Sequence, residues 1–239
     1  MPFDNNIITA EDINSAWRDT LWCCVRNGYD YQVERGSYVG QIRRQLDSLM
    51  IRIDEPGAYP LAVTLPEHLP FSAPTDETKI SQYFQDYLIS GEKEEGEEYT
   101  YGEFIAAQLD RIIETLSTSR GQTNQATITV GDPYKAYTDP PCLRVIDFKV
   151  VPRKNLDSMK ELTMTLFFRS WDIFAGLPEN LGGLQLLKEY VLAYLPPELG
   201  IEDGAMIAYS SGAHIYEMYF PLVNQLNIDK IGKGEENLK

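Results

Sequence analysis

Arg169-Ser170-Trp171-Asp172-Ile173-Phe174-Ala175-Gly176-Leu177-Pro178-Glu179-Asn180-Leu181-Gly182-Gly183-Leu184-Gln185-Leu186-Leu187 is where the chain changes from one periodicity to another. Ahead of it, Leu162, Met164 and Leu166 alternate with Thr163 and Thr165 up to Phe168, the period of a half-buried strand. Behind it, the residues from about Leu181 to Leu195 read as a helix. Pro196-Pro197 stop that helix, because proline brings no N–H and its ring collides with the preceding turn. The polar residues Arg169, Ser170, Asp172 and Asn180 cluster at the switch, where packing alone gives them no reason to be.

Working outward, Leu143 to Val151 reads as a second strong strand, opened by Asp139-Pro140-Pro141-Cys142. A thiol at a strand start with an arginine on a nearby strand is the raw material of a nucleophilic site, although a single cysteine is more often a small buried hydrophobe. Downstream, Ser211-Gly212-Ala213-His214-Ile215-Tyr216 would put His214 and Tyr216 on one face if that segment is a strand. In the N-terminal half the pattern predicts a helix from about Ala10 to Arg26, stopped by Asn27-Gly28. A loop, Arg35 to Gly40, follows. A strand over Leu46 to Ile53 is closed by Pro56-Gly57. Leu65 to Thr78 reads as loop and Gln82 to Ile89 as a helix running out at Gly91. The acidic run Gly91 to Glu98 is a solvated loop. Glu103 to Leu116 is a helix with Ile105, Leu109, Ile112 and Leu116 at helical spacing, and Thr127 to Val130 a short strand. Without a repeat or long linker, residues 1–239 read as a single α+β domain.

Composition bounds the function. The net charge of −15 opposes binding to a polynucleotide, which rewards clustered Lys and Arg, but leaves room for one phosphate held by local arginines. Three cysteines without zinc spacing and two histidines give little for a metal centre or a disulfide framework. No apolar run is long enough to span a membrane. The first residues lack a signal-peptide pattern, so a cytoplasmic location is the expectation.

Asp139-Pro140-Pro141-Cys142, Arg169-Ser170-Trp171-Asp172, Gly176-Leu177-Pro178-Glu179-Asn180 and His214-Ile215-Tyr216 resemble, in that order and spacing, the thymidylate synthase family. The wording from Arg169 to Leu187 looks most like its compact archaeal-type branch. The resemblance is strong from about Tyr99 to Tyr219 and fainter upstream, where Arg35-Gly36 and Pro60-Leu61 match. It implies a three-layer α/β sandwich around a large mixed sheet and a homodimer packed sheet to sheet. The implied reaction is reductive methylation of dUMP to dTMP, with methylene-tetrahydrofolate or a related reduced pterin as cosubstrate and no metal.

By that resemblance Cys142 is the nucleophile and Tyr101 of Tyr101-Gly102 sits near the reacting base. Arg35, Arg169 and Ser170 bind phosphate, His214 and Tyr216 hold the sugar hydroxyl, and Asp172 contacts the pterin. Asn180 selects uracil, and cytosine-specific relatives carry Asp there. The chemistry agrees. Adding a thiolate to the 6-carbon of uracil makes the 5-carbon nucleophilic, and a thiolate both attacks and leaves well. A nearby guanidinium favours the thiolate, with Arg169 the family's match and Arg144 an extra local candidate. A carboxamide offers an acceptor and a donor to the uracil edge.

The chain also departs from the pattern. Asn124 and Gln125 stand where the family carries adjacent arginines that reach the partner subunit's phosphate site, with Arg120 the nearest cation. The family's active-site glutamate has no counterpart between Gln82 and Tyr87, where Gln85 and Asp86 are nearest. Leu143 replaces the usual histidine and Phe168 the usual glutamine. The sequence given ends at Lys239, without the tail that closes over the folate in longer members. Two further readings stay open: a pyrimidine-nucleotide hydroxymethylase, and a nucleotide-binding homologue without turnover.

Overall fold

The computed structural model describes residues 6–36, 38–93, 95–153 and 159–226. Ser37, Glu94 and the C-terminal stretch bearing on a closing tail lie outside them.

Ten strands and five α-helices are described: β1 (Ile7–Ala10), α1 (Ile13–Asn27), β2 (Tyr29–Gln32), β3 (Ile42–Gln45), β4 (Leu49–Ile53), α2 (Glu77–Gln82), α3 (Gly102–Thr118), β5 (Thr127–Thr129), β6 (Leu143–Pro152), β7 (Lys160–Phe168), β8 (Trp171–Asp172), α4 (Gly176–Tyr194), β9 (Ile201–Ser210), β10 (Ala213–Tyr216) and α5 (Phe220–Gln225). One turn of wider π-helix, Tyr83–Leu88, continues α2. The large sheet has the order β1-β4-β9-β7-β6-β5 and is mixed, and the small one runs β2-β3-β10-β8. The expected mixed α/β architecture around a large mixed sheet is therefore observed.

The two sheets meet along one corner because strands pass from one to the other. After β7, the Ser211 N–H donates to Phe168 O (3.1 Å) and the Trp171 N–H to Gly212 O (3.1 Å), so β7 turns into β8 beside β9 turning into β10. At the same level the Leu46 N–H donates to Ala213 O (2.9 Å), carrying β3 over toward β4. The strand expected over 46–53 therefore starts later, at Leu49, because Leu46 to Ser48 turn the corner between β3 and β4.

The helices cover one face of the large sheet. Leu162, Met164 and Leu166 point into that core and are buried, as the alternation predicts, while Thr165 is exposed. Helix α4 is apolar nearly all round and buried on most sides, as expected of a central helix. It starts at Gly176, earlier than the sequence pattern suggests, because the Asp172 carboxylate accepts the N–H groups of Phe174 (2.9 Å) and Ala175 (3.3 Å) ahead of it. Pro178 then sits in the first turn, where its missing N–H leaves no bond unmade. Lys188, fully buried on α4, donates to the carbonyl of Gly204 and pairs with Asp203 (3.1 Å) on β9.

Two other boundaries move. Ala10 belongs to β1, which pairs in parallel with β4, and α1 begins after Asp12, whose carboxylate caps the N–H of Ser15 (2.7 Å). Among the described residues, no helix covers the far face of the large sheet. Ile7 and Met50 are 53% and 43% exposed there, and Phe167 and Tyr209 stack at 5.5 Å.

Gly102 opens α3, and a Cβ there would run into the carbonyl oxygen of Ser90. Backbone cannot yield as a flexible side chain can. Gly102→Ala is expected to destabilise the protein by about 3 kcal/mol through overpacking, lowering the thermal unfolding midpoint; an unchanged midpoint would refute this packing argument.

Candidate active site

The corner between the sheets holds the thiol. Cys142 immediately precedes β6, and its carbonyl accepts the Arg169 N–H (2.9 Å). A β-bulge between Leu143 and Val145 bends the strand just past it, a common device beside reacting groups. The buried Tyr101 hydroxyl accepts the Leu143 N–H (3.2 Å), tying the first residue of β6 to the start of α3. Tyr101 belongs to an aromatic chain: Tyr87 meets it edge-on at 5.1 Å, Tyr99 stacks at 5.9 Å and Tyr137 packs on Tyr99 at 5.7 Å.

Arg169 fixes the loop before the thiol. Its Nε donates to the carbonyls of Pro140 (3.1 Å) and Pro141 (3.2 Å), and one Nη donates to Pro140 and to the Asp139 carboxylate (2.7 Å). Further back, the Glu98 carboxylate accepts the N–H groups of Thr138 and Asp139. Burial pushes the Cys142 thiol up, Arg169 pulls it down, Asp139 pushes it up again, and Arg43 pulls it down. The net direction is upward, so the resting group at neutral pH is a thiol.

The second sheet supplies a polar face. Tyr216 lies opposite Arg43, which lies opposite Tyr31. His214 lies opposite Gln45 and beside Asp172. Directly paired residues share a face, so Tyr31, Arg43, Gln45, His214, Tyr216 and Asp172 all do. Asp172 is pushed up to about 6 by burial, against the N–H bonds from Ala175 and Phe174 and the charge of Arg43. Those bonds engage one carboxylate oxygen.

Asn180 lies in the second turn of α4 and is no helix cap. Its side-chain oxygen accepts the Trp171 indole N–H (3.0 Å), and Trp171 stacks on Phe168 at 4.2 Å. The carboxamide is thereby held in one orientation. Beside it, the half-buried Tyr83 of the π-turn turns its buried hydroxyl toward Asn180, without a hydrogen bond of ordinary geometry among the described residues. A turn of this width often marks a functional site.

Of the residues expected from sequence, Cys142, Tyr101, Arg169, Ser170, Asp172, Asn180, His214 and Tyr216 gather around this corner. Arg35 does not join them: it is exposed on the β2–β3 loop. Arg144 points its guanidinium toward Gly131, and it is not among the charges acting on the thiol. Gln85 turns to Ser81 (3.1 Å), whereas Asp86 lines a cleft of about 400 Å³ with Tyr83, Tyr87 and Glu179. Asn124 and Gln125 line a larger cleft of about 770 Å³ with Lys149 to Val151. That cleft is roughly 25 Å along β6 from Cys142, at about 3.3 Å per residue.

Sequence reading missed Arg43, because the expected strand began at Leu46. Starting it at Ile42 would have put Arg43 and Gln45 on one face. Asp139 was noted within its motif, but its bond to Arg169 was not foreseen.

Comparison with known proteins agrees with this geometry. Residues 91–231 match the family model described as thymidylate synthase. A protein of Methanosarcina acetivorans named "Putative thymidylate synthase" is 30% identical, over 92% of this chain and 94% of its own length. Proteins with the same name from Methanococcoides burtonii, 27% identical over 95% of each chain, and Methanopyrus kandleri, 26% identical over 90% and 95%, are also similar.

The charges around Cys142 make a measurable expectation. Its alkylation by iodoacetamide should rise with pH through an inflection above the ordinary cysteine value. Asp139→Asn should lower that inflection and Arg169→Ala raise it. Cys23 and Cys24 are buried, so the modified residue can be verified by peptide mass. An inflection insensitive to both substitutions would overturn the electrostatic account.

Proposed function

Because the chain belongs to the thymidylate synthase family, we propose that it converts dUMP to dTMP by reductive methylation, with Cys142 as nucleophile. The supporting observation is the convergence of Cys142, Arg169, Asn180, Asp172, His214 and Tyr216 at the corner of the two sheets.

The thiolate of Cys142 adds to the 6-carbon of the uracil ring, and the ring π electrons move toward the 5-carbon and the 4-carbonyl. Arg169 favours the thiolate. A dianionic phosphate is a stronger partner for its guanidinium than Asp139, and Ser170 adds a hydroxyl at the same turn. Asn180 gives its remaining oxygen lone pair to the ring N–H and its NH₂ to the 4-carbonyl. The methylene-bearing reduced folate, or a related pterin, supplies the one-carbon unit and the hydride. Asp172 offers its free oxygen to that cosubstrate, and the Tyr87, Tyr99 and Tyr101 rings wall the site against water. Once the 5-carbon has lost its proton and gained the methyl group, the carbon–sulfur bond breaks and the thiolate is restored.

Incubation with dUMP and methylene-tetrahydrofolate is expected to yield a nucleotide heavier by a methyl group. A hydroxymethyl product would instead assign a hydroxymethylase, and binding of dUMP without turnover a silent homologue. Cys142→Ala should lower turnover roughly a thousandfold or more; unchanged product formation would sink the mechanism. Asn180→Asp should cut kcat/KM for dUMP about 100-fold and improve use of dCMP, since a mismatched polar edge discriminates strongly. No change in that preference would remove Asn180 from base selection.

We also infer a homodimer, for which the uncovered face of the large sheet, with Ile7, Met50 and the Phe167–Tyr209 pair, is the support. In that arrangement the Asn124–Gln125 loop would serve the partner's site, which fits its separation from Cys142 of its own chain. Sedimentation equilibrium is expected to give the mass of two chains, and Phe167→Asp to give one. A monomeric wild-type protein at micromolar concentration would refute this.

A further inference from the structure

The contacts of Arg43 give it a more specific part than that of a charge near the thiol. Its Nη2 donates to the Tyr216 phenol oxygen at 2.5 Å, and its guanidinium carbon lies 4.7 Å from the centroid of the same ring. Its Nε is buried without a partner among the described residues. A phenol oxygen that already accepts from a guanidinium turns its own O–H elsewhere. Burial pushes the Tyr216 phenol up to about 12, against the opposing pull of Arg43, so it keeps that proton at neutral pH.

His214 beside it has the opposite polarity. Its Nδ1 lies 2.9 Å from the carbonyl oxygen of Gly212, which can only accept, so Nδ1 carries the ring proton. Burial, and then the charges of Arg43 and Arg169, hold the imidazole down to about 4 against the Gly212 bond, so the ring is neutral at pH 7. Nε2 is therefore a bare lone pair, buried and without a partner among the described residues.

We propose that Arg43 is a positioning residue of the sugar subsite: by donating to Tyr216 it commits that phenol to be a donor. Tyr216 O–H and His214 Nε2 then fit one hydroxyl that accepts from the first and donates to the second. This rests on the dUMP reading above. A 5′-phosphorylated deoxynucleoside has one free sugar hydroxyl, at the 3′ position, so the subsite selects nucleotides with that hydroxyl unsubstituted.

The test is equilibrium binding of dUMP and of 2′,3′-dideoxyuridine monophosphate, which lacks that hydroxyl. Wild-type protein is expected to prefer dUMP by about 30-fold, from two hydrogen bonds lost together. In Arg43→Gln the preference should fall to roughly threefold, because the phenol is no longer oriented. Arg43→Lys, which keeps a donor, should retain most of it, and serves as the second variant if the glutamine form does not fold. Tyr216→Phe should add little to the loss already caused by Arg43→Gln. Equal weakening of both nucleotides in both Arg43 variants would mean a merely structural role and overturn the proposal, as would an unchanged ratio. If wild-type protein does not bind dUMP, the proposed function fails and this inference with it. Binding of dUMP with a ratio indifferent to Arg43 overturns this inference alone.

Discussion

Two consecutive prolines before Cys142 create a stretch of backbone with no donors of its own. Pro140 and Pro141 contribute carbonyls but no N–H groups, so the segment leading to Cys142 accepts hydrogen bonds but has none of its own to give. Arg169 provides what the backbone lacks: its guanidinium gathers both carbonyls and the Asp139 carboxylate, while its N–H binds the carbonyl of Cys142 itself. The course of the loop up to the thiol rests on this side chain, while Tyr101 holds the start of β6. The same guanidinium favours the thiolate, so the loop's geometry and the reactivity of its cysteine are not independently adjustable.

The polar lining of the corner has its hydrogen-bond directions set in advance. Trp171 takes one lone pair of Asn180, Leu143 donates to Tyr101, Gly212 fixes the His214 proton and Arg43 occupies the phenol oxygen of Tyr216. Each leaves one defined group facing the site, and such preorganisation is what lets a buried polar surface discriminate. The cost falls on stability: Asp172 is a buried carboxylate whose ionised form is disfavoured, and His214 Nε2 and Arg43 Nε are buried without partners among the described residues.

The motifs that meet at the corner could be picked out in the sequence because each is short and carries its residues within a few positions. The alternation of Leu162, Met164 and Leu166 located β7, and helical spacing located α3, since both patterns are set by burial on one side. What escaped was decided over longer range. Ala10 went to a strand because β4 offered a ladder. The strand expected over 46–53 begins only at Leu49, because Leu46 turns the corner with its N–H on Ala213. Helix α4 gained an early turn from the Asp172 carboxylate, and Gln82 to Ile89 widened into a π-turn where Tyr83 packs against Gly183. Arg43 was hidden by the same misplaced strand start, as its face is fixed only by its partner across the ladder.

Lys188 stands apart from the chemistry, yet it bears on where the chemistry happens. It lies on α4 roughly two turns beyond Asn180, about 12 Å along the axis at about 1.5 Å per residue. Its bonds to Gly204 and Asp203 pin the helix to β9. Apolar contacts alone resist sliding only weakly until the side chains have moved by a whole groove, but a buried ammonium displaced from its carbonyl and carboxylate loses them within an ångström. The lysine thus works as a fiducial mark: it sets the longitudinal position of the helix, and with it the reach of Asn180, from a point no substrate touches.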